Sequence, residues 1–343
     1  MPLEVRTPQA GRVETVEVDS REPGHGEVRL RIHSCGICGS DLHWFGGHGV
    51  PPMTCPGHEC CGVIDATGPG VQGWASGDEV TVEPINRCGS CPQCLSGNYQ
   101  LCNSLEIYGV HRPGAMASEM IVPAYSLYRL PAGVGLDLAA LAEPLAVAVH
   151  ATRLAGVGKG SRVLVLGGGT IGLLSAVAAR EQGADLVGLT ARYAHQQELA
   201  SALGVDMALS PEAFSDLPET PDIVIETVGG SASTLSDATF AVARGGTVVV
   251  VGIFDETPAF NPMVFIIKET RIIGSMAYGA YQPHGNSPGG SDFETALSIL
   301  ARRTGDLKEL LTHKFALQEV QGAFETAADK SSGAVKVVLA PDC

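Results

Sequence analysis

Four cysteines stand close together in the run CGSCPQCLSGNYQLC. Cys88, Cys91, Cys94 and Cys102 have the spacing C-x2-C-x2-C-x7-C. Zinc prefers four soft ligands in a tetrahedron, and two-residue gaps let a tight turn direct successive sulfurs at one ion. Because four protein ligands leave no coordination position open, we predict a structural Zn²⁺ that cross-links a lobe with few apolar residues. The alternative is four unrelated thiols in a loop.

A glycine pattern, G-x-G-x-x-G, occurs at Gly167, Gly169 and Gly172 within VLVLGGGTIG. It follows an apolar strand and opens a helix, which is the context in which such glycines bind a dinucleotide. The glycines permit a tight turn and close approach of the backbone to a pyrophosphate, and the helix N-terminus supplies amide donors. The alternative is a glycine-rich turn that binds no ligand.

The residues after the next strand predict which dinucleotide is bound. NAD sites usually carry Asp or Glu about 20 residues beyond the glycines, where it binds the adenosine ribose. This chain has Ala191 and then Arg192 at that place. No carboxylate there repels a 2′-phosphate, and Arg192 can pair with one bidentately, so we predict NADP(H). The alternative is a solvated Arg192 and a mixed cofactor preference. The predicted cofactor-binding residues of this region are Gly167, Gly169, Thr170, Ile171, Gly172, Ala191, Arg192 and Tyr193.

A third stretch, GHECCG at residues 57–62, places a histidine, a glutamate and two cysteines side by side. These residues alone are compatible with a metal site, a reactive thiol pair or a buried strand. We expect Cys60 and Cys61, together with Cys35, to be buried thiols.

Composition limits the class of protein and its partners. The chain has 343 residues, 45% of them hydrophobic and 17% charged, which is typical of a globular protein with two domains. A net charge of −15 argues against nucleic acid or an anionic membrane as partner. The charged start of the chain does not resemble a secretory signal, and no apolar run reaches the ~18 residues of a membrane span. We therefore expect a cytoplasmic protein whose ten cysteines are ligands or buried thiols rather than disulfides.

The order of elements predicts two architectures. Short alternating segments broken by Gly, Pro and Asp make residues 1–130 mostly β. A helical pattern follows near residue 138, interrupted at Pro144. From residue 161, apolar strands alternate with helices, which predicts a parallel sheet covered on both faces. After residue 278 the pattern is mixed again, and residues 279–291 read as a glycine- and proline-rich loop.

Several motifs together resemble one family, the zinc-dependent medium-chain dehydrogenases, and within it the polyol branch. CGICGSD at residues 35–41, GHE, the four-cysteine lobe, AEPLAVAVHA and the G-x-G-x-x-G glycines stand in family order over nearly the whole chain. The resemblance implies an α/β protein with a β-rich GroES-like catalytic domain, residues 1–150 plus 279–343. A Rossmann domain with a doubly wound parallel sheet is implied for residues 151–278, and the active site for the cleft between the domains.

The resemblance also implies the residues of a catalytic zinc site. The implied ligands are Cys38, His58, Glu59 and Glu143. The residue matching Glu59 can lie in or out of the coordination shell, and that matching Glu143 binds the metal or holds its water. Ser40 and His43 match a proton relay, and Asp41 matches a carboxylate that orients the zinc-binding histidine. An open coordination position would let the metal act as a Lewis acid on the reacting oxygen.

Two more positions and the reaction follow from the same resemblance. Tyr278 matches a substrate-pocket residue, and Lys336 a basic residue near the cofactor phosphates. The implied reaction transfers a hydride between NADP(H) and a small secondary alcohol or polyol, or the ketone, in a homodimer or homotetramer. Ala191 and Ala277 depart from the polyol pattern, so the substrate stays open. The alternatives are a zinc-bearing reductase of a conjugated alkene or imine, and a non-enzymatic nucleotide-binding protein.

Overall fold

The computed structural model describes residues 1–49, 54–281 and 290–341. Contacts divide the chain into a split unit, Met1–Glu143 with Leu300–Cys343, and an inserted unit, Pro144–Ile299. The division into a catalytic zinc domain, residues 1–150 plus 279–343, and a dinucleotide-binding domain, residues 151–278, stays a prediction. Most of the expected loop at 279–291 lies outside the described residues. None of the described helices combines the length and apolar character that a bilayer span requires.

The first part of the split unit is strand-rich, as its alternating pattern predicts. On the longest strand, β3, Val28, Leu30 and Ile32 are fully buried and alternate with more exposed residues. The strands are β1 Leu3–Gln9, β2 Arg12–Glu17, β3 Glu27–Gly36, β4 Glu59–Thr67, β5 Glu79–Val82, β6 Ile85–Asn86, β7 Glu106–Ile107, β8 Glu119–Pro123 and β9 Leu127–Arg129. The helices are α1 Gly39–Phe45, α2 Pro92–Leu95 and α3 Leu136–Ala139, and α4 Ala142–Leu154 begins here and continues into the inserted unit.

Pro144 does not interrupt a helix, and this expectation was wrong. The chain makes two helices, α3 and α4, and Pro144 lies in the first turn of α4. A proline is tolerated there because the first amides of a helix have no carbonyl partner within it. The break therefore falls before the proline, at residues 140–141.

The inserted unit contains the predicted parallel sheet. Among the described residues, six parallel strands lie in the order β12-β11-β10-β13-β14-β15. The order reverses between β10 and β13, which is where ligands bind in doubly wound sheets. The strands are β10 Arg162–Leu166, β11 Leu186–Thr190, β12 Met207–Leu209, β13 Ile223–Glu226, β14 Thr247–Val250, β15 Arg271–Gly274, β16 Ala280–Tyr281 and β17 Gly290–Ser291. The helices are α5 Thr170–Glu181, α6 Ala194–Ala202, α7 Thr234–Ala241, α8 Met263–Lys268 and α9 Asp292–Arg302.

The end of the chain completes the sheet of the split unit. Its elements are α10 Thr304–Leu307, β18 Leu311–Ala316, α11 Val320–Ala328 and β19 Lys336–Ala340. Strand β19 pairs with β3 on one side and β18 on the other, giving the order β18-β19-β3-β4-β5-β9 in the described chain, with β8 also on β3. The core of this unit joins the early strands to Phe324 and Leu339, which are fully buried. Residues 304–341 are therefore part of the fold that carries Cys38 and His58.

Candidate metal and dinucleotide sites

The four-cysteine lobe has the geometry of a tetrathiolate site. Sulfur–sulfur distances run from 3.5 Å for Cys88–Cys102 to 3.9 Å for Cys88–Cys94 and Cys91–Cys102. A tetrahedron with Zn–S bonds of about 2.3 Å has edges of about 3.8 Å. A disulfide would need about 2.05 Å. The lobe therefore fits a zinc ion without rearrangement.

Backbone amides prepare these thiols to be ligands. The amide of Cys91 donates to Cys88 Sγ at 3.3 Å, and the amides of Cys88 and Ser104 donate to Cys102 Sγ at 3.4 Å. Amide donors at Ser90 and Cys91 lower the pKa of Cys88 to about 6. A thiolate is thus favoured at neutral pH, which is the form that binds zinc.

A second cluster forms where β3 and β4 pair. Gly36 on β3 lies opposite Glu59 on β4, so the residues beyond the two strand ends are brought together. One ligand atom each of Cys38, His58 and Glu59 lies within 4.8 Å of the others. A sulfur, an imidazole and a carboxylate are a donor set that zinc accepts with a position left for substrate.

The electrostatics of this second cluster suit a cation. Burial lowers the pKa of His58, but Cys38, Asp41 and Glu143 together hold that pKa well above its usual value. His58 Nδ1 is buried and has no hydrogen-bond partner among the described residues. A divalent ion would satisfy both the negative potential and the donor set.

The other predicted members of the zinc site take different places. Glu143 lies buried in the first turn of α4 and outside the set of three. Asp41 is buried and accepts a hydrogen bond from the Cys38 amide at 2.9 Å, which closes the first turn of α1. Burial raises the pKa of Asp41. Its described bond therefore positions Cys38, and its expected role toward His58 stays a prediction.

Lys336 differs most from its expected place. Its ammonium is buried and bound to the Glu59 carboxylate and to the carbonyl of Ile37, at 3.1 Å from the latter. Burial lowers the pKa of Lys336, but Glu59 and Cys38 raise it above its usual value. The structure therefore gives this cation a carboxylate of the metal cluster as partner, where the resemblance implied cofactor phosphates.

The two predicted relay residues lie on one face of α1. Ser40 and His43 are three positions apart, so their side chains are neighbours on the helix. Both line a pocket of the split unit whose other walls come from the chain after α1 and from a distant turn. The remaining lining residues are Asp41, Trp44, His48, Gly49, Gly109 and Val110. Sequence reasoning missed Trp44 and His48, although both are close to the CGICGSD motif.

The predicted glycines form a cradle after β10. Gly167 has a φ of 115°, and a Cβ on Gly172 would lie 1.8 Å from the carbonyl oxygen of Gly167. Neither position therefore accepts a side chain. Gly169 caps α5, and a Cβ there would meet nothing within 4 Å. This open glycine at the start of a twelve-residue helix is where a pyrophosphate can approach the backbone.

The remaining predicted residues flank this cradle or lie elsewhere in the inserted unit. Thr170 and Ile171 open α5. Ala191 is buried at the end of β11, while Arg192 is exposed. Tyr193 stacks on His195, with ring centroids 5.7 Å apart. Tyr278 is fully buried against Phe293 and follows Ala277, whose φ is 44°. Its role in a substrate pocket stays a prediction.

Comparison with known proteins assigns the class. The family model described as an alcohol dehydrogenase GroES-like domain matches residues 24–132, and that described as zinc-binding dehydrogenase matches residues 170–302. A 2-dehydro-3-deoxy-L-galactonate 5-dehydrogenase of Pseudoalteromonas atlantica is 34% identical over 90% of both chains. A sorbitol dehydrogenase of Halalkalibacterium halodurans is 34% identical over 93% of both. A Sinorhizobium meliloti structure described as a zinc-binding dehydrogenase bound to NADP is 31% identical, with a TM-score of 0.87 over 99% of each chain.

The chain belongs to the zinc-dependent medium-chain alcohol and polyol dehydrogenases, and it is an oxidoreductase of that class. This confirms the family that the motifs indicated, and with it the α/β fold class of a GroES-like domain and a Rossmann domain. The non-enzymatic alternative and the alkene or imine reductase are not favoured, since these relatives are dehydrogenases of hydroxyl compounds by name.

Proposed function

We propose that this protein transfers a hydride between NADP(H) and a secondary alcohol or polyol, or the corresponding ketone, at a zinc site held by Cys38, His58 and Glu59. The observation that carries the proposal is the convergence of these three donors at the β3–β4 junction, beside a pocket lined by Ser40 and His43. Glu143 is the nearby carboxylate, which binds the metal or its water. Cys88, Cys91, Cys94 and Cys102 hold the structural zinc.

The residues of the chain bind and orient the reacting groups, and they transfer the proton of the substrate hydroxyl. When bound, zinc supplies a Lewis acid for the reacting oxygen, and NADP(H) supplies or accepts the hydride. Ser40 Oγ accepts the proton of the substrate hydroxyl as it gives its own proton to the imidazole of His43, which lies on the same helix face and releases a proton to solvent. Asp41 keeps the Cys38 backbone in place. Lys336 neutralises Glu59, which limits the repulsion among the acidic groups of the cluster.

The proposed cofactor site uses the cradle of the inserted unit. Gly167, Gly169 and Gly172, with the first residues of α5, receive the pyrophosphate. Ala191 leaves no carboxylate beside the adenosine ribose, and the exposed Arg192 pairs with the 2′-phosphate. The Sinorhizobium meliloti relative was solved with NADP bound, which supports NADP(H) as the proposed cofactor of this chain.

Substrate, assembly and location complete the proposal. The substrate is a small hydroxylated molecule or its ketone, with Tyr278 in its pocket. The chain forms a homodimer or homotetramer, supported by the exposed edge strand β15 and by exposed Ile266, Ile267 and Ile272 nearby in the chain. A cytoplasmic location remains part of the proposal.

The test is a panel of secondary alcohols, polyols, ketones and enones with NADP(H) and NAD(H), on wild type and Cys38→Ser. We expect turnover of an alcohol–ketone pair by the wild type. Cys38→Ser should lose turnover and one zinc ion per chain, while its Kd for NADP stays unchanged. Retained turnover in a metal-verified Cys38→Ser preparation would remove Cys38 from the catalytic site. Activity confined to enones would replace the proposed reaction with alkene reduction.

A further inference from the structure

Glu226, a residue that no motif singled out, is the last residue of β13 and is fully buried. Its Oε1 atom accepts hydrogen bonds from the amides of Val228 and Gly229, at 2.8 and 2.9 Å, and from Thr234 Oγ1 at 2.7 Å. Its Oε2 atom is buried and has no partner among the described residues. Such an arrangement costs free energy, because a carboxylate oxygen has left water without replacement.

The hydrogen bonds of Glu226 hold a tight turn that contains two glycines. Gly229 and Gly230 both have a φ of 61°. A Cβ on Gly229 would lie 2.2 Å from the carbonyl oxygen of Ile253. The amide of Gly230 donates to that same carbonyl at 2.7 Å, and the amide of Asp255 donates to the carbonyl oxygen of Gly230 at 3.2 Å. The loops that follow β13 and β14 are therefore joined backbone to backbone above Glu226.

This turn also forms one wall of the glycine cradle. Thr227 Oγ1 donates to the carbonyl of Leu166 at 2.8 Å, directly before the first glycine. A Cβ on Gly167 would lie 2.7 Å from Thr227 Oγ1 and 2.9 Å from Val228 Cγ2. Gly172 is also close, since its Cβ would lie 3.0 Å from the same Thr227 oxygen. A shift of residues 227–229 would therefore move the backbone that is to receive the pyrophosphate.

We propose that Glu226 is a positioning residue for the dinucleotide: its carboxylate fixes the turn at residues 227–230, and the turn fixes the glycine cradle and the loop after β14. The inference rests on the proposed function, because the cradle is taken to bind NADP(H). The cradle follows β10 and the turn follows β13, and these are the two strands between which the strand order reverses, where a doubly wound sheet binds its ligand. Glu226 acts through the backbone and does not itself touch the cofactor.

The test compares two substitutions of Glu226 with a matched core variant, all as full-length protein with both zinc sites loaded. Glu226→Ala removes the acceptor of three hydrogen bonds, and we expect its Kd for NADP and NADPH to rise about tenfold, a loss typical of buried hydrogen bonds. Glu226→Gln keeps one carbonyl oxygen as acceptor, so its Kd should stay within about threefold of wild type. Val248→Ala truncates a fully buried side chain on β14 and controls for loss of stability.

Calorimetric titration with NADP and NADPH gives the Kd values, and steady-state kinetics gives a second readout. In Glu226→Ala the KM for cofactor should rise with Kd, while kcat at saturating cofactor and zinc content stay near wild type. Wild-type affinity in Glu226→Ala would overturn the inference, and so would an equal loss in Val248→Ala. A wild type that binds neither NADP(H) nor NAD(H) would instead overturn the proposed function on which the inference rests.

Discussion

Ala191 and Arg192 are the two residues on which the proposed preference for NADP(H) rests. The first is buried directly after β11, where a new carboxylate needs a polar partner such as the adenosine ribose, and the second is exposed. We expect Ala191→Asp with Arg192→Leu to lower the ratio of kcat/KM for NADP to that for NAD by about 100-fold. The new carboxylate binds ribose hydroxyls and repels the 2′-phosphate, and the ion pair is lost.

Steady-state kinetics with both cofactors measures this ratio. Arg192→Lys is the control, because it keeps the charge but loses the planar fork, and its ratio should fall less than that of the double variant. An unchanged ratio in the double variant would show that these two positions do not select the cofactor.

Single residues also explain which parts of the site were visible in the sequence. The cysteines of the lobe and the glycines of the cradle act over short spacings, so their pattern is complete within one segment. Lys336 and Glu59 are 277 residues apart, and only the pairing of β19 with β3 brings them together. Glu226 looked like the end of an apolar strand, because its partners are backbone amides that leave no mark on residue type.

At the level of elements, the four-cysteine lobe contains a short helix that buries no side chain. Its helix α2 has four residues and none of them is buried. We expect Cys91→Ser to lose one zinc ion per chain and to lower the thermal midpoint by several degrees, since a structural metal contributes folding energy directly. Metal analysis and calorimetry check both. Cys38→Ser should lose the other zinc with less effect on the midpoint, and equal midpoints for wild type and Cys91→Ser would contradict a structural role.

Asp292 joins α4 to α9 within the inserted unit. Asp292 is fully buried. Its carboxylate accepts a hydrogen bond from Arg153 Nε at 2.7 Å and another from the Gly279 amide at 2.9 Å, and it pairs with His150 Nδ1 at 2.7 Å. Burial works to raise the pKa of Asp292, but Arg153 and His150 outweigh it and the pKa is lowered. A lowered native pKa means that the stabilisation is complete above the unfolded value of about 3.9 and is lost as pH falls through the native one.

We therefore expect Asp292→Asn to lower the free energy of unfolding by about 3 kcal/mol at pH 7, because Arg153 loses a buried partner. The difference from wild type should shrink once pH falls below the unfolded-state pKa of about 3.9, and it is lost as pH falls through the lowered pKa of the native carboxylate. Denaturant unfolding at pH 7 and at acid pH tests this prediction, and Asp19→Asn at an exposed position is the control. A difference that is the same at pH 7 and at acid pH would contradict the charge-based explanation.

The predicted elements agree with the structure where a local pattern was sufficient. Apolar runs such as RVLVL and the alternation of EVRLRIHS became β10 and part of β3. The interruption expected at Pro144 failed because a proline in a first turn and a proline in a helix interior look the same in sequence. Sequence pattern also could not reveal that β19, the last strand, lies next to β3.

At the scale of the whole molecule, the parallel sheet has an edge strand whose apolar side chains are exposed. Strand β15 is the last in its sheet among the described residues, and Ile272 on it is 38% exposed. In the proposed homodimer or homotetramer, this exposed edge with its apolar side chains pairs with a second copy of the chain. We expect Ile272→Lys to shift the protein toward monomer in analytical ultracentrifugation, while the exposed Glu212→Lys leaves the assembly unchanged. An unaltered oligomer in Ile272→Lys would place the interface elsewhere.

The place of β19 has a consequence for synthesis on the ribosome. Strand β3, with Cys38 just beyond it, emerges early, but its neighbour β19 and the cation at Lys336 emerge only after the inserted unit. The inserted unit is translated in between and contains its own sheet, so it can fold while the first unit still waits for its partner strand. A nascent chain stopped before residue 336 would lack β19, so the end of β3 next to Cys38 would have no β19 neighbour, and we expect zinc loading at Cys38 to follow chain release.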